Sequence, residues 1–442
     1  MIFSKFKNRH FLALVGNLII SGFSVITISV LYRILTKSDV GVWFFFLTVI
    51  SLADAVRNGF LNTATIKFYA GTSKERGTEV LGSVWFLSIT LTLVLVGLNI
   101  IALGGINFIK NPELILVIKW LGITFISSLP YSTTYWILMA EEGYLKMLWL
   151  RLINSASMIL IIIVLALIKQ ATLFNILLVN VLTNCLTSIV AIIWGVSKIN
   201  TFVKRSKATT LEIMHFGKYS LATNLSSNLL SSVNTFIITF MLGPASLAVY
   251  NLPQRLMELV EIPLRSFVGT GMSAMATAFN TNNIYHLTHV TKKYAGMLMI
   301  AFIPTAIFAF FVADYAVLLL GGNKYIHTEA ANIFRVLMFV AILYPIDRFN
   351  GVTLDIIHQQ KINFYKVLVM LTVNVPISFI GIYLFKNVWG AVIAVPFTLL
   401  AGLSFGYYHL KKHLKYSFRL IVVTGIAETK KIVDEKILKR KS

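Results

Sequence analysis

The chain has 442 residues, 57% of them apolar and 13% charged, with a mean hydropathy of +0.80. Soluble domains carry about a quarter charged residues, so a soluble enzyme, a disordered chain and a disulfide scaffold are excluded and a multi-spanning membrane protein remains. The single Cys185 leaves no disulfide framework or cysteine-based metal site, and the net charge of +22 has to be placed against a membrane before it is read as affinity for nucleic acid.

Lys5, Lys7 and Arg9 precede an apolar stretch from Phe11 that has no small-residue cleavage site and is followed by further apolar runs. It reads as a first transmembrane helix rather than a removable signal. Spans follow at 11–35, 40–68, 80–103, 114–139, 147–168 and 171–197, then at 216–242, 246–278, 295–320, 328–357, 362–385 and 388–410. The runs 40–68, 246–278 and 328–357 exceed the minimum span and should tilt or protrude. Residues 411–442 hold no run long enough to cross and predict an interfacial or cytoplasmic helix.

Twelve spans place both termini on one side. That side, with its loops, carries 25 Lys and Arg, ten of them in 411–442, whereas the other carries only Lys37, Lys110, Lys169, Lys324 and Lys386. The positive-inside rule makes the richer side cytoplasmic. The charge therefore reports topology and an attraction to anionic lipid, not nucleic-acid binding. The outward loops are too short to hold a catalytic domain.

The chain also matches itself at an offset of 207: Asn17 meets Asn224, Ser21 meets Asn228, Ser24 meets Ser231, Trp43 meets Tyr250 and Asp54 meets Glu261. Pro130 and Pro345 pair at an offset of 215. The expected domains are an N-lobe at 1–205, a C-lobe at 206–410 and a basic cytoplasmic tail at 411–442. Because six is even, the lobes are parallel repeats.

Two segments carry a family likeness. "LYRILTKSDVGVWFFFLTVISLADAVRNGF" (31–60) resembles the opening of O-antigen and polysaccharide flippases, and "FGKYSLATNLSSNLLSSVNTFIITFMLGPASLAVYNLPQRL" (216–256) resembles the start of their second lobe. These are the Wzx-type members of the multidrug/oligosaccharidyl-lipid/polysaccharide (MOP) exporter superfamily. The resemblance implies an all-α, MATE-like integral membrane fold: twelve transmembrane helices in two parallel six-helix lobes around a central cavity. It further implies a transporter rather than an enzyme, which moves an undecaprenyl-diphosphate-linked oligosaccharide across the bacterial inner membrane for surface polysaccharide such as lipopolysaccharide. Polysaccharide polymerase and chain-length machinery would be its partners. Lipid II flippases look similar but usually have two more helices, and twelve spans here argue against that closer identity.

Ionisable residues inside spans cost about 2.5–3.5 kcal/mol each on insertion scales. Here they concentrate in the second, eighth and tenth spans. At about 100° per residue, Asn251, Gln254, Arg255, Glu258, Glu261 and Arg265 share one face of the eighth. Ser51, Asp54, Arg57, Asn58, Asn62 and Thr65 share a face of the second. The seventh carries Ser220, Asn224, Ser227, Asn228, Ser231 and Thr235, and the tenth carries Tyr344, Asp347, Gly351, Asp355 and His358. Such stripes line a polar seam or a watery cavity. Asp54–Arg57 and Glu261–Arg265 can neutralise each other locally, which is the structural alternative to a cationic lumen. On the lumen reading, Arg57, Arg255, Arg265 and Arg348 hold a pyrophosphate head, and Asn224 and Asn228 meet sugar hydroxyls. Asp54, Glu258, Glu261, Asp347 and Asp355 then tune the arginines or couple to H+ or Na+.

Other features are weaker. His286/His289 and His409/His413 have helical metal-ligand spacing but no carboxylate or cysteine near them in the sequence, so neither metal nor cofactor is expected. Lys119 and Arg151 sit near span ends and should snorkel. The run Trp43–Phe46 reads as lipid-facing packing. Pro130 and Pro345 predict kinks, with or without a gating role. There is no Walker A motif. Two rival functions stand beside the flippase: a cation-coupled multidrug exporter of the same superfamily, and a membrane polymerase or glycosyltransferase. The second would need acidic residues on a large outward loop, where Glu113 and Glu329 stand alone.

Overall fold

A computed structural model describes residues 9–69, 71–109 and 111–438. Lys5, Lys7, Lys110 and the final basic cluster from Lys439 lie outside them, as do the side chains of Arg9, Asn17, Glu113 and Ser220. Among the described residues the fold is all helix: α1 Arg9–Ile34, α2 Lys37–Tyr69, α3 Lys74–Gly104, α4 Pro112–Ala140, α5 Tyr144–Leu167, α6 Leu173–Ile193 and α7 Lys207–Leu242. There follow α8 Pro244–Asn280, α9 Ile284–Gly321, α10 Ala330–Ala341, α11 Tyr344–Ile356, α12 Gln360–Phe385, α13 Trp389–Leu410 and α14 Phe418–Leu438. Nine of these are long and apolar enough to cross a membrane, and α10 with α11 makes a tenth crossing bent by 49°. The other two expected spans are α1, whose described apolar part is only Ile19–Ile34, and α8, whose charges interrupt its hydropathy. Large apolar side chains point outward along the spans, as Leu93, Val94, Leu98, Ile100 and Ile101 do on α3. That is the pattern of a protein whose solvent is hydrocarbon.

Packing divides the chain into two compact units, Met1–Ser232 and Val233–Ser442. The division falls inside α7. Its first turns belong to the first unit, where Ile213 joins Leu61, Ala64, Val80, Val84, Leu87 and Trp136 in one apolar cluster. Its last turns belong to the second, where Asn234 donates to Tyr250 Oη at 3.1 Å and accepts from Ser378 Oγ at 2.8 Å. The basic connection before α7 is packed rather than loose. A Cβ on Gly82 would lie 2.3 Å from Thr201 O, and Trp85 Nε1 donates to Ser197 O at 2.9 Å.

Within the first unit, α4 runs unbroken through Pro130 because α6 repairs its ladder. The Ser188 hydroxyl accepts from Tyr131 N at 3.2 Å and donates to Ser127 O at 2.8 Å, standing between two groups that would otherwise bond each other. The run Trp43–Phe46 is fully buried, which corrects its reading as lipid-facing. Four consecutive aromatics cover every side of a helix, and here each meets protein: Phe44 packs on Tyr32, and Trp43 on Phe46.

In the second unit the tenth span is not one helix. The chain bends at Ile342–Leu343, and Pro345, which cannot supply the N–H a continuing helix needs, opens α11. α12 and α13 cross with backbones touching; a Cβ on Gly390 would lie 2.1 Å from Ile382 N. The segment after α13 is docked as well. α14 crosses α9 at Gly425 and Gly296, where a Cβ on Gly296 would lie 2.3 Å from Ile421 O. Lys293 pairs with Glu428 at 2.7 Å, and Tyr416 Oη donates to Asn350 Oδ1 at 2.5 Å. His289 Nε2 lies 3.4 Å from the same Glu428, so the fold brings to it the carboxylate that its own stretch of sequence lacks.

Candidate functional site

The second and seventh polar stripes meet in the first unit. α2 and α7 approach to backbone contact: a Cβ on Gly59 would lie 2.9 Å from Leu221 Cα, and one on Gly217 would lie 2.6 Å from Phe60 O. Small residues at such a crossing let helices close without side-chain spacers. Beside it opens a cavity of about 560 Å³ lined by Leu47, Ile50, Ser51, Asp54, Ala55, Asn58 and Asn62 of α2 and by Asn224 and Asn228 of α7.

Its polar groups are only partly satisfied. Asn58 Oδ1 accepts from the Trp136 indole, which leaves its amide hydrogens for an occupant. Asn228 Nδ2 donates to Asn224 O at 2.9 Å. Asn62 Oδ1 is buried with no hydrogen-bond partner. A buried acceptor in that state costs about 1–3 kcal/mol, and a ligand hydroxyl or ordered water would remove the cost.

Arg57 does not face this cavity, contrary to the expectation from the stripe. It is wholly buried at the α2–α3–α4 seam, bonded to Asp54 Oδ1, to Ser128 Oγ at 3.1 Å, and to Thr92 Oγ1 and Phe125 O at 3.4 Å each. Asp54 spans the two environments, with one oxygen held by Arg57 while its side chain borders the cavity. The cation thus steadies the carboxylate from behind, and no arginine is among the described residues lining the cavity.

The remaining charged residues lie in the second unit. On α8, Arg255 pairs with Glu258 at 2.7 Å and Arg265 with Glu261 at 3.4 Å. Both pairs sit on the face opposite the buried Leu252, Leu256 and Met257. On α11, Arg348 is exposed and has no ion pair among the described residues. Asp347 pairs with the buried Lys366 of α12 at 2.6 Å, and Asp355 accepts from Asn363 Nδ2 at 3.0 Å. These two carboxylates fasten the lower half of the bent span to α12. In the sequence Lys366 reads as one more loop charge; its partner is on the preceding helix, 19 positions away, so no local spacing marks the pair. The described residues contain no cluster of three or more His, Cys, Asp or Glu able to hold a metal. A second cavity of about 680 Å³, at the basic ends of α2–α4, is internally neutralised: Lys198 pairs with Glu141, to which Tyr69 Oη donates at 2.7 Å.

Against known proteins, residues 30–328 match the pattern of a family described as polysaccharide biosynthesis protein. The chain belongs to that family. The lipid II flippase MurJ of Bacillus subtilis is 25% identical over 173 residues, a match spanning 37% of this chain and 31% of the relative. Among solved structures, an inward-facing multidrug resistance MATE-family transporter of the MOP superfamily superposes with a TM-score of 0.74 at 17% identity, over 88% of this chain and 94% of that one. Lipid II flippase MurJ in an inward closed conformation gives 0.70 at 15% identity, over 95% and 90%. A MOP transporter from Pyrococcus furiosus gives 0.61 at 16%, over 90% and 94%. The likeness drawn from 31–60 and 216–256 therefore holds at the level of a polysaccharide biosynthesis family and of the fold shared with MATE and MurJ structures.

Proposed function

We propose that this chain flips an undecaprenyl-diphosphate-linked oligosaccharide across the bacterial inner membrane by alternating access, with both termini cytoplasmic. The observation that carries this reading is the amide-lined cavity beside the α2–α7 crossing, with its unsatisfied Asn62 acceptor and the Asn58 donors. Sugars are recognised by fixed amide donors and acceptors, and a membrane-embedded cavity of such groups has little reason to exist for an apolar cargo. Guanidinium groups suit a diphosphate, and within the second unit Arg348 and Arg265 are exposed, Arg348 with no ion pair among the described residues. Membership of a polysaccharide biosynthesis family and the partial match to a lipid II flippase support the same cargo class. The likeness also makes a polymerase and its chain-length machinery the natural recipients of the flipped unit. Turnover draws on H+ or Na+ rather than a bound cofactor.

A second reading has its own support. Among the described residues lining the cavity, Asp54 alone is ionisable, which favours a cationic cargo, as in a cation-coupled multidrug exporter. One experiment separates the two. In cells deprived of their own polysaccharide flippase, the wild-type chain should restore surface polymer, and Asn58→Ala with Asn62→Ala should let lipid-linked sugar accumulate on the cytoplasmic leaflet while drug resistance stays unchanged. Restored drug resistance with no effect on lipid-linked sugar would establish the exporter instead.

A further inference from the structure

Beyond transport, the outer face of α14 has a chemistry that its position in the fold explains. Ile421 and Gly425 are buried against α9. The opposite face presents Leu420, Val423 and Ile426, which with Phe418 are between 42% and 54% exposed. Exposed apolar side chains elsewhere in the molecule belong largely to the spans, where lipid covers them. Here they stand on a helix outside the spans, flanked by exposed Lys411, Lys412, Lys415, Arg419, Lys430 and Lys431. Of the nearby acids, Glu428 is taken by Lys293.

The level of α14 follows from what it crosses. α9 has 38 residues, about 57 Å at 1.5 Å per residue, against a hydrocarbon core of about 30 Å. Its apolar run begins near residue 295, so Gly296, where α14 crosses, marks the edge of that core. The link from α13 is only 411–417 and is itself anchored by the buried Leu414 and Tyr416. α14 is therefore held at head-group depth with apolar and basic groups turned outward. Aliphatic side chains fit the boundary between head group and acyl chain, and each lysine or arginine there draws anionic lipid.

We infer that α14 is a lipid-binding helix whose outer face seats in the head-group layer of the basic side and selects anionic phospholipid. This does not depend on the cargo. To test it, the full chain carrying Cys185→Ser and Val423→Cys is labelled with an environment-sensitive fluorophore at the new thiol. It is then reconstituted in vesicles of phosphatidylcholine and phosphatidylglycerol, with either lipid spin-labelled near the head group. Blue-shifted emission is expected, with quenching stronger from phosphatidylglycerol. Lys411→Gln, Lys412→Gln and Lys415→Gln should lower that preference by about fivefold per charge removed, while hydrogen exchange over 418–431 shows α14 still docked. Water-like emission in every vesicle overturns the inference, as does equal quenching by both lipids. A label exposed in vesicles but shielded in native membranes overturns it too, by revealing a protein partner.

Discussion

Asn62 and Arg57 sit five residues apart on one helix and have opposite fates, which defines the site at the finest scale. Arg57 is spent on structure. Its guanidinium is surrounded by Asp54, Thr92, Phe125 O and Ser128, all within α2–α4. Removing one partner of a buried pair costs about 3–5 kcal/mol, so Arg57→Ala should lower the thermal midpoint in detergent by many degrees and reduce the amount of folded protein. Arg57→Lys should recover part of that, because a lysine keeps the charge but not the fork. Asn62 behaves in the reverse way. Asn62→Leu removes an orphaned acceptor at similar volume, and should leave stability equal or raise it by about 1 kcal/mol while transport falls. A gain in stability with a loss of transport is what a binding group predicts; loss of both would make Asn62 a packing residue. Sequence alone could not divide the stripe in this way. Asp54 and Arg57 differ by only about 60° in projection, and which edge meets α3 and α4 rather than the cavity depends on neighbours that no local pattern names.

At the scale of elements the spans were legible, because a run of some 20 apolar residues bounded by charge is stable almost only as a helix across a bilayer. The bend between α10 and α11 was foreshadowed by Pro345, and the burial of Trp43–Phe46 was not, since an all-round apolar run fits lipid and protein equally. Lys366 and the His289–Glu428 contact escaped because each joins separate helices. Equally invisible was the rescue of Pro130 by Ser188, which leads to a double-mutant test. Ser188→Ala leaves Tyr131 N–H and Ser127 O without the hydroxyl between them and should cost about 2 kcal/mol. Adding Pro130→Ala allows a regular ladder to close, so the double variant should be more stable than the sum of the singles requires. Strict additivity in thermal unfolding would mean that the hydroxyl only fills space. α14 offers a second test. The Lys293 ammonium, hydrogen-bonded to Glu428 and reinforced by the charges of His289 and Lys431, holds that carboxyl below its ordinary value. A depressed value means that the pair's contribution to docking is complete above the ordinary carboxylate range and is lost as pH falls through the depressed one. Hydrogen exchange over α14 should therefore accelerate, beyond its intrinsic pH dependence, as pH falls below the ordinary carboxylate range. Glu428→Gln should flatten that change.

For the molecule as a whole, charge asymmetry is the strongest constraint on how it sits in the bilayer. On the twelve-span reading of the sequence, twenty-five basic residues fall on one side and five on the other. The packed linker at 198–206, the docked α14 and the ion pairs Arg76–Glu212 and Lys198–Glu141 would on that reading lie on the basic side. The opposite side would then have, among the described residues, short turns such as that between α9 and α10. Insertion retains lysine and arginine on the cytoplasmic face, with short loops counting most. A green fluorescent protein joined after residue 442 should thus fluoresce, since it matures in the cytoplasm. Alkaline phosphatase, which is active only once exported, should be active in the 322–329 turn and silent in the 198–206 linker. Inverted activities would place α14 and its lysines on the outer leaflet and would overturn the orientation assumed in the proposed function. Placing three extra lysines in the 105–109 turn should partly invert the reporters if charge sets the orientation, and should leave them unchanged if later spans dominate.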